Sequence, residues 1–465
     1  MATPLSPWQR HRGWLVVLGA FLVMLVGFGA IYSSSAFTPE IAVSLRLERG
    51  DAAMVLALSS SVTFFVSAIS GPLSDRVGPR PLALFGTLLI ALGLAIAATA
   101  KDAATFFASY GLLVGIGVGL AYVPAVAAVQ RWFLANRGLA SGIALSGIGV
   151  GTALIPLLKF ILADFGDWRF AFLCCAVLVA IVGLAGSLLL EAGPESHGMG
   201  PDGSKLRAKQ AAPKDDGPAL GEVLCSRAFL LAYAGTLLVA IPAAAPLMLL
   251  VGTAEARGLS HQQAVVLLGL MGVGTIVGRF CLAALSDLLG RRLGFLLSCL
   301  GVSIAMMLWA LADDAASLQG FALIYGALQG GFVALLPAFV ADSFGSRSVG
   351  GIVGLLYTSR GIALLVGVPL VGVSVSALGA HDLPIALCGL VGMLGALLLA
   401  LARPKPRKAG ARPKAGEAPE QASDLVKREP IRMLRRKSAV IAMHGLSSVP
   451  SAACRPRAAE VFVVK

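Results

Sequence analysis

Hydrophobic residues along this chain do not alternate with polar ones at helical or strand spacing. They come in unbroken runs of about 20, the length that crosses the hydrocarbon layer of a bilayer as an α-helix. Such runs stand near 14–36, 52–70, 82–100, 105–128, 138–162, 170–190, 228–252, 262–283, 293–312, 317–340, 348–376 and 383–402, which predicts twelve spanning helices. The first run follows Arg10, His11 and Arg12; it is too long for a secretory signal and lacks a small-residue cleavage pattern, so it is expected to remain as a span. The expected layout is a six-helix bundle over 1–193, a polar central loop over 194–226, a second six-helix bundle over 227–402, and a tail over 403–465.

Composition agrees with the pattern and narrows it. Of 465 residues 57% are apolar and 13% charged, with mean hydropathy +0.86; soluble domains carry roughly 25% charged residues. A soluble enzyme, a disordered chain and a fibre are thereby excluded. The 55 glycines follow no fixed period, which excludes collagen and suits closely packed membrane helices. The net charge of +13 changes the picture only through its location: residues 403–465 hold fifteen Lys/Arg against five Asp/Glu, a net of +10. A basic tail beside a last span reports cytoplasmic orientation and contact with anionic headgroups rather than nucleic acid. Its Pro404, Pro406, Pro413 and Pro419, among Ala and Lys, predict disorder. The seven cysteines, odd in number and mostly inside apolar runs, fit neither a disulfide framework nor a zinc site and read as small apolar packers.

Lys/Arg placement gives the orientation. With the N-terminus inside, the inner segments before the tail hold fourteen (Arg10, Arg12, Arg76, Arg80, Arg131, Arg137, Lys205, Arg207, Lys209, Lys214, Arg227, Arg291, Arg292, Arg347) and the outer loops five (Arg46, Arg49, Lys101, Arg169, Arg257). Both termini are therefore expected in the cytoplasm. An internal repeat supports the six-and-six division: Leu73-Ser74-Asp75-Arg76-Val77-Gly78-Pro79-Arg80 and Leu285-Ser286-Asp287-Leu288-Leu289-Gly290-Arg291-Arg292 both read L-S-D-x-x-G-x-R, 212 residues apart, at the same turn of each half. Gly permits the tight turn, Asp can face a helix N-terminus, and Arg anchors at headgroup level.

With this repeat the sequence resembles the major facilitator superfamily, whose two six-helix halves are related by an axis along the membrane normal. Within it, Gln130-Arg131-Trp132-Phe133 followed by Asn136-Arg137-Gly138-Leu139-Ala140-Ser141-Gly142-Ile143-Ala144 is similar to the signature of the monocarboxylate-porter and oxalate/formate-antiporter group. Gly166-Asp167-Trp168-Arg169-Phe170-Ala171-Phe172 and the segment from Ile31-Tyr32-Ser33 to Phe37 are similar to its sixth and first helices, and the likeness covers about 14–402. The resemblance implies an all-α polytopic membrane protein of two pseudo-symmetric bundles. It also implies a monomeric secondary transporter of a small organic anion, working by alternating access in the cell (inner or plasma) membrane. Exchange and proton-linked symport both remain open. No cofactor, metal, enzymatic activity or nucleic-acid partner is expected. The alternatives are an exporter of drugs or other small molecules and a sensor that binds without translocating.

Ionisable groups deep in a span are costly and therefore functional candidates. Lys159, Arg279 and Arg360 lie within predicted spans. Lys159, near an outer end, is expected to snorkel. Arg279 stands where related monocarboxylate porters place a substrate-binding Arg, and Arg360 where the oxalate-exchanger pattern has a Lys. Guanidinium clamps a carboxylate through parallel hydrogen bonds. Tyr32, Tyr122, Gln329 and Tyr357 complete a candidate cavity, each open to the alternative of an interfacial ring or an interhelical hydrogen bond; related porters carry a Tyr at the place of Tyr122. Gly111, Gly115, Gly119, Gly138, Gly142, Gly147 and Gly151 read as close-packing surfaces. Asp75 and Asp287, with Arg76, Arg80, Arg291 and Arg292, are expected to latch the inner gate. Monocarboxylate porters often pair the Arg with an acid one turn earlier, a place held here by Thr275, and no Asp or Glu falls mid-span. That speaks against proton coupling through a protein carboxylate.

Overall fold

The structure, a computed structural model, describes residues 7–47, 51–162, 167–203, 220–345, 348–379 and 381–402. The tail, expected to be disordered, and the side chain of Lys159 lie outside the described residues. Twelve long helical segments are described: α1 (Pro7–Ala36), α2 (Asp51–Val77), α3 (Pro79–Ala98), α4 (Ala103–Trp132), α5 (Arg137–Leu162), α6 (Trp168–Leu188), α7 (227–256), α8 (His261–Leu289), α9 (Arg291–Ala310), α10 (Ala315–Phe344), α11 (349–378) and α12 (Asp382–Leu401). Eleven are long and apolar enough to cross a membrane among the described residues, and α5, described in part, adds a helix of 26 residues. In hydrocarbon every backbone polar group must be satisfied within the protein, so apolar runs of this length become helices.

The helix starts carry the repeat further than the sequence motif does. Asp102 caps α4 by accepting from the Thr105 N–H at 2.8 Å, and Asp314 caps α10 by accepting from the Ser317 N–H at 3.3 Å. These two aspartates are again 212 residues apart. The backbone N–H and hydroxyl of Thr105 hold the Asp102 carboxyl below the usual range, and the Ser317 side chain and N–H do the same for Asp314. In both motif copies the Gly takes a left-handed conformation, φ +92° at Gly78 and +103° at Gly290, which turns α2 into α3 and α8 into α9.

Two features depart from uniform helices. The seventh span, expected to be continuous, breaks at 241–244, between Arg227–Ala240 and Ala245–Ala256. Pro242 supplies no N–H, and the Tyr325 hydroxyl from α10 donates to its carbonyl oxygen at 2.9 Å. At the equivalent point of α1, again 212 residues away, the Tyr110 hydroxyl from α4 donates to the carbonyl oxygens of Ala30 and Ile31. The second departure is wider, π-type turns at 107–114 in α4, 179–183 in α6 and 363–367 in α11.

Within the first bundle the glycines form the expected packing surfaces: Gly115 and Gly119 lie on the Ser59 and Thr63 carbonyls of α2, and Gly147 and Gly151 on the Phe21 and Leu25 carbonyls of α1. The two bundles, α1–α6 and α7–α12, meet chiefly along α2 with α11 and α5 with α8, helped by α5 with α10 and α4 with α11.

Candidate functional site at the seam of the bundles

Each bundle's L-S-D aspartate reaches across the seam to the start of a helix in the other. Asp75, at the end of α2, accepts from the N–H groups of Gly350 (3.2 Å) and Gly351 (2.8 Å), which open α11. Asp287, at the end of α8, accepts from Gly138 (3.0 Å) and Leu139 (2.9 Å), which open α5. Donor and acceptor positions are both related by the 212-residue shift, so the two clasps are copies of one another with the bundles exchanged. A carboxylate on the exposed N–H groups of a helix start also meets the positive end of its dipole.

The clasp requires close approach. A methyl group on Gly138 would fall 2.8 Å from an Asp287 carboxylate oxygen, and one on Gly350 would fall 2.6 Å from that of Asp75. One turn deeper the pattern repeats. A methyl group on Gly142 would lie 2.1 Å from the Arg279 carbonyl oxygen, and one on Gly354 at the same distance from that of Ser67.

The arginines expected at this end divide into two groups. Arg291 is at the seam: it pairs with Asp287 (2.6 Å) and Asp342 (2.9 Å) and donates to the carbonyls of Leu134 and Ala135 in the opposite bundle. Arg80 and Arg292, the last residues of the two motif copies, instead stay within their own bundles. Arg80 donates to the Leu190 carbonyl after α6, and Arg292 to those of Ala400 and Ala402 at the end of α12. Arg76 is exposed. Two residues that entered the sequence reading as orientation markers and as part of the Gln130–Ala144 signature, without a gate role, are part of the seam: Arg131 pairs with Asp75, and Arg137 crosses to Asp342 at 2.5 Å. Asp342 too was passed over, because an acid at a span end carries no signal of its partner.

Arg279 in α8 and Arg360 in α11 lie ten and eleven residues from this closed end, roughly 15 Å at the helical rise and so near mid-bilayer. The Arg279 side chain is buried, 4% exposed; one N–H donates to the Leu145 carbonyl of α5 at 2.7 Å, and its enclosed Nε has no partner among the described residues. Arg360 is half-buried between two rings, its guanidinium carbon 5.3 Å from the centre of Phe64 and 5.6 Å from that of Phe332, with one enclosed nitrogen unpartnered among the described residues. Tyr122 and Tyr357 face each other across the bundles, stacked at 5.1 Å, and the Tyr122 hydroxyl donates to that of Tyr357 at 2.9 Å. Both arginines act electrostatically on Tyr32, Tyr122 and Tyr357, and on one another. Gln329 turns to the second bundle's interior, where Thr275 donates to its side-chain oxygen at 3.5 Å.

Arg279, Arg360, Tyr122 and Tyr357 are thus brought together, with Tyr32 beside them, while Gln329 joins through Thr275. Phe28, Phe64 and Phe332 form the walls; in the sequence they are indistinguishable from other apolar residues of their spans. Among the described residues no Asp or Glu stands in the middle of a span; Asp75, Asp287, Asp342 and Asp382 lie at span ends. The arrangement offers N–H and O–H donors and net positive charge in a low-dielectric setting, which suits an anion.

Two pseudo-symmetric six-helix bundles clasped at one end, with cations buried between them, are the architecture of a membrane carrier. The family model of the Major Facilitator Superfamily matches residues 19–313 and 236–453, and the chain belongs to that superfamily. It is 27% identical over 433 residues to Monocarboxylate transporter 12 of Rattus norvegicus, covering 86% of this chain and 87% of that one. It is 28% identical over 362 residues to the Fujikurins efflux protein of Gibberella fujikuroi, covering 77% and 75%. Among solved structures, a double-tryptophan variant of XylE superposes with a TM-score of 0.70 at 16% identity, covering 86% of this chain and 96% of that one. The protein is a major facilitator transporter similar to the monocarboxylate transporters.

Proposed function

We propose that this transporter carries a small organic anion, a mono- or dicarboxylate, by alternating access, with Arg279 as principal anchor and Arg360 as second. One observation supports the reading: two guanidinium groups near mid-bilayer, each with an enclosed nitrogen unpartnered among the described residues, and no carboxylate described in the middle of any span to neutralise them. Tyr122 and Tyr357 would release their mutual bond to donate to the substrate, and Tyr32 would close over it. The clasps of Asp75 and Asp287, with Arg291, form the gate at the cytoplasmic end, in a cell membrane where the fourteen-to-five Lys/Arg bias puts both termini inside. Because the site holds no Asp or Glu among the described residues, exchange of one anion for another is faster than net uptake, and any proton travels on the substrate.

The test is uptake of labelled acetate, lactate, oxalate and benzoate into proteoliposomes, preloaded or empty, with and without a pH gradient. Saturable uptake of at least one, fastest into preloaded vesicles, is expected. Failure of all four to move or to bind would overturn the reading. The similarity to the Fujikurins efflux protein favours a second reading, export of drugs or other small molecules; inside-out vesicles that accumulate drug-like compounds in preference to the four carboxylates would select it.

A further inference from the structure

Around the midplane the donors outnumber the acceptors. Arg279 gives one N–H to the Leu145 carbonyl, and its Nε is left over. Arg360 is faced by the π surfaces of Phe64 and Phe332, which attract a cation but accept only weak hydrogen bonds, so an enclosed nitrogen is left over there too. Tyr122 uses its proton on Tyr357, which leaves the Tyr357 O–H to donate onward. Three donors, two of them on full positive charges, therefore lie within electrostatic reach of one another in a medium where unmet donors and uncompensated charge are costly.

We infer that the same donors take a small inorganic anion, chloride, which occupies them between organic substrates and makes the return journey in their place. The inference rests on the organic-anion reading of the site and names the counter-substrate. Chloride fits for three reasons. It needs only donors, and the site offers donors without an acid. It is small and round, and the stacked Tyr122–Tyr357 rings and the Phe64 and Phe332 faces enclose the place closely. It carries one charge, so exchange for a monocarboxylate moves no net charge across the bilayer, whereas an unaccompanied return leaves two guanidinium charges uncompensated in the low-dielectric space between the bundles.

The experiment follows radiolabelled chloride in proteoliposomes of the full chain, with internal chloride or a bulky sulfonate buffer. Chloride self-exchange is expected, together with several-fold faster uptake of whichever carboxylate the panel identifies when chloride is inside. Arg279→Gln should abolish chloride exchange, and Tyr357→Phe, which keeps the ring and removes one donor, should weaken it roughly tenfold. Folding of each variant is checked by thermal unfolding in detergent, where added bromide should stabilise the parent and not Arg279→Gln. Carboxylate binding and transport that ignore internal chloride, with no stabilisation by bromide, would overturn this inference and leave the organic-anion reading standing. Chloride exchange with no carboxylate moving would overturn that reading, and with it the role of chloride as counter-substrate. If neither anion binds, both fall.

Discussion

At Arg279 two demands meet in one side chain: its backbone carbonyl is the floor on which Gly142 rests, and its guanidinium is the charge aimed into the site. Replacement by Lys keeps the charge and loses the fork geometry, so carboxylate affinity should fall by one to two orders of magnitude, about 1.5–3 kcal/mol; replacement by Ala should abolish transport at normal membrane insertion. Both are measured as concentration dependence of uptake. Thr275→Asp places an acid one turn before Arg279, against Gln329, and is expected to shift the balance from exchange toward proton-dependent net flux. Unchanged preference for exchange in that variant would show that the coupling is set elsewhere. Arg279, Arg360 and the tyrosines could be read from the sequence because charge and phenol are conspicuous in an apolar run. Phe64 and Phe332 could not, since a ring becomes a wall only when a cation from another helix is set against it.

Among the elements, the crossings of α5 with α8 and of α2 with α11 depend on backbone touching backbone. Gly142→Val or Gly354→Val introduces branched carbon where even a methyl group would lie 2.1 Å from a carbonyl oxygen. Each should cost about 1–3 kcal/mol of stability and slow transport, read as a lower melting temperature and reduced uptake with the anion affinity little changed. The helix caps give a pH dependence. Asp102 and Asp314 have depressed carboxyl pKa values in the folded protein; the stability they add is present above their unfolded values and is lost as pH falls through the folded ones. An Asp102→Asn, Asp314→Asn double variant should therefore show a flatter acid limb in melting temperature against pH. The span limits were legible to within a few residues except at turns, where helices such as α2 and α8 run on through the motif. The break in α7 was not. Pro72, Pro124 and Pro337 sit inside uninterrupted helices, so a proline alone does not announce a break; at Pro242 it is a tyrosine from α10 that takes the freed carbonyl.

For the whole molecule, the seam sorts the charges by task. The polar contacts that cross between bundles among the described residues run from the level of Ser61 and Gly361 to the motif-bearing end, so this is a state shut at that end. Loss of one clasp should favour the state open there: Asp75→Asn and Asp287→Asn are each expected to raise cysteine labelling of positions near Leu145 from the motif-bearing side. The tail is expected to be dispensable, because its composition buries no core; truncation after Ala402 should retain substantial uptake once expression is normalised.

The reciprocity of the clasps has a further consequence. Each bundle carries both a hook, the aspartate at the end of its second helix, and an eye, the N–H pair that opens its fifth, at matching places in the repeat. A single half thus already contains both sides of the joint, and two copies of one half would present complementary faces to each other. Halves encoded separately, divided within 204–219, should find one another and copurify without a linker, and a lone half should pair with itself.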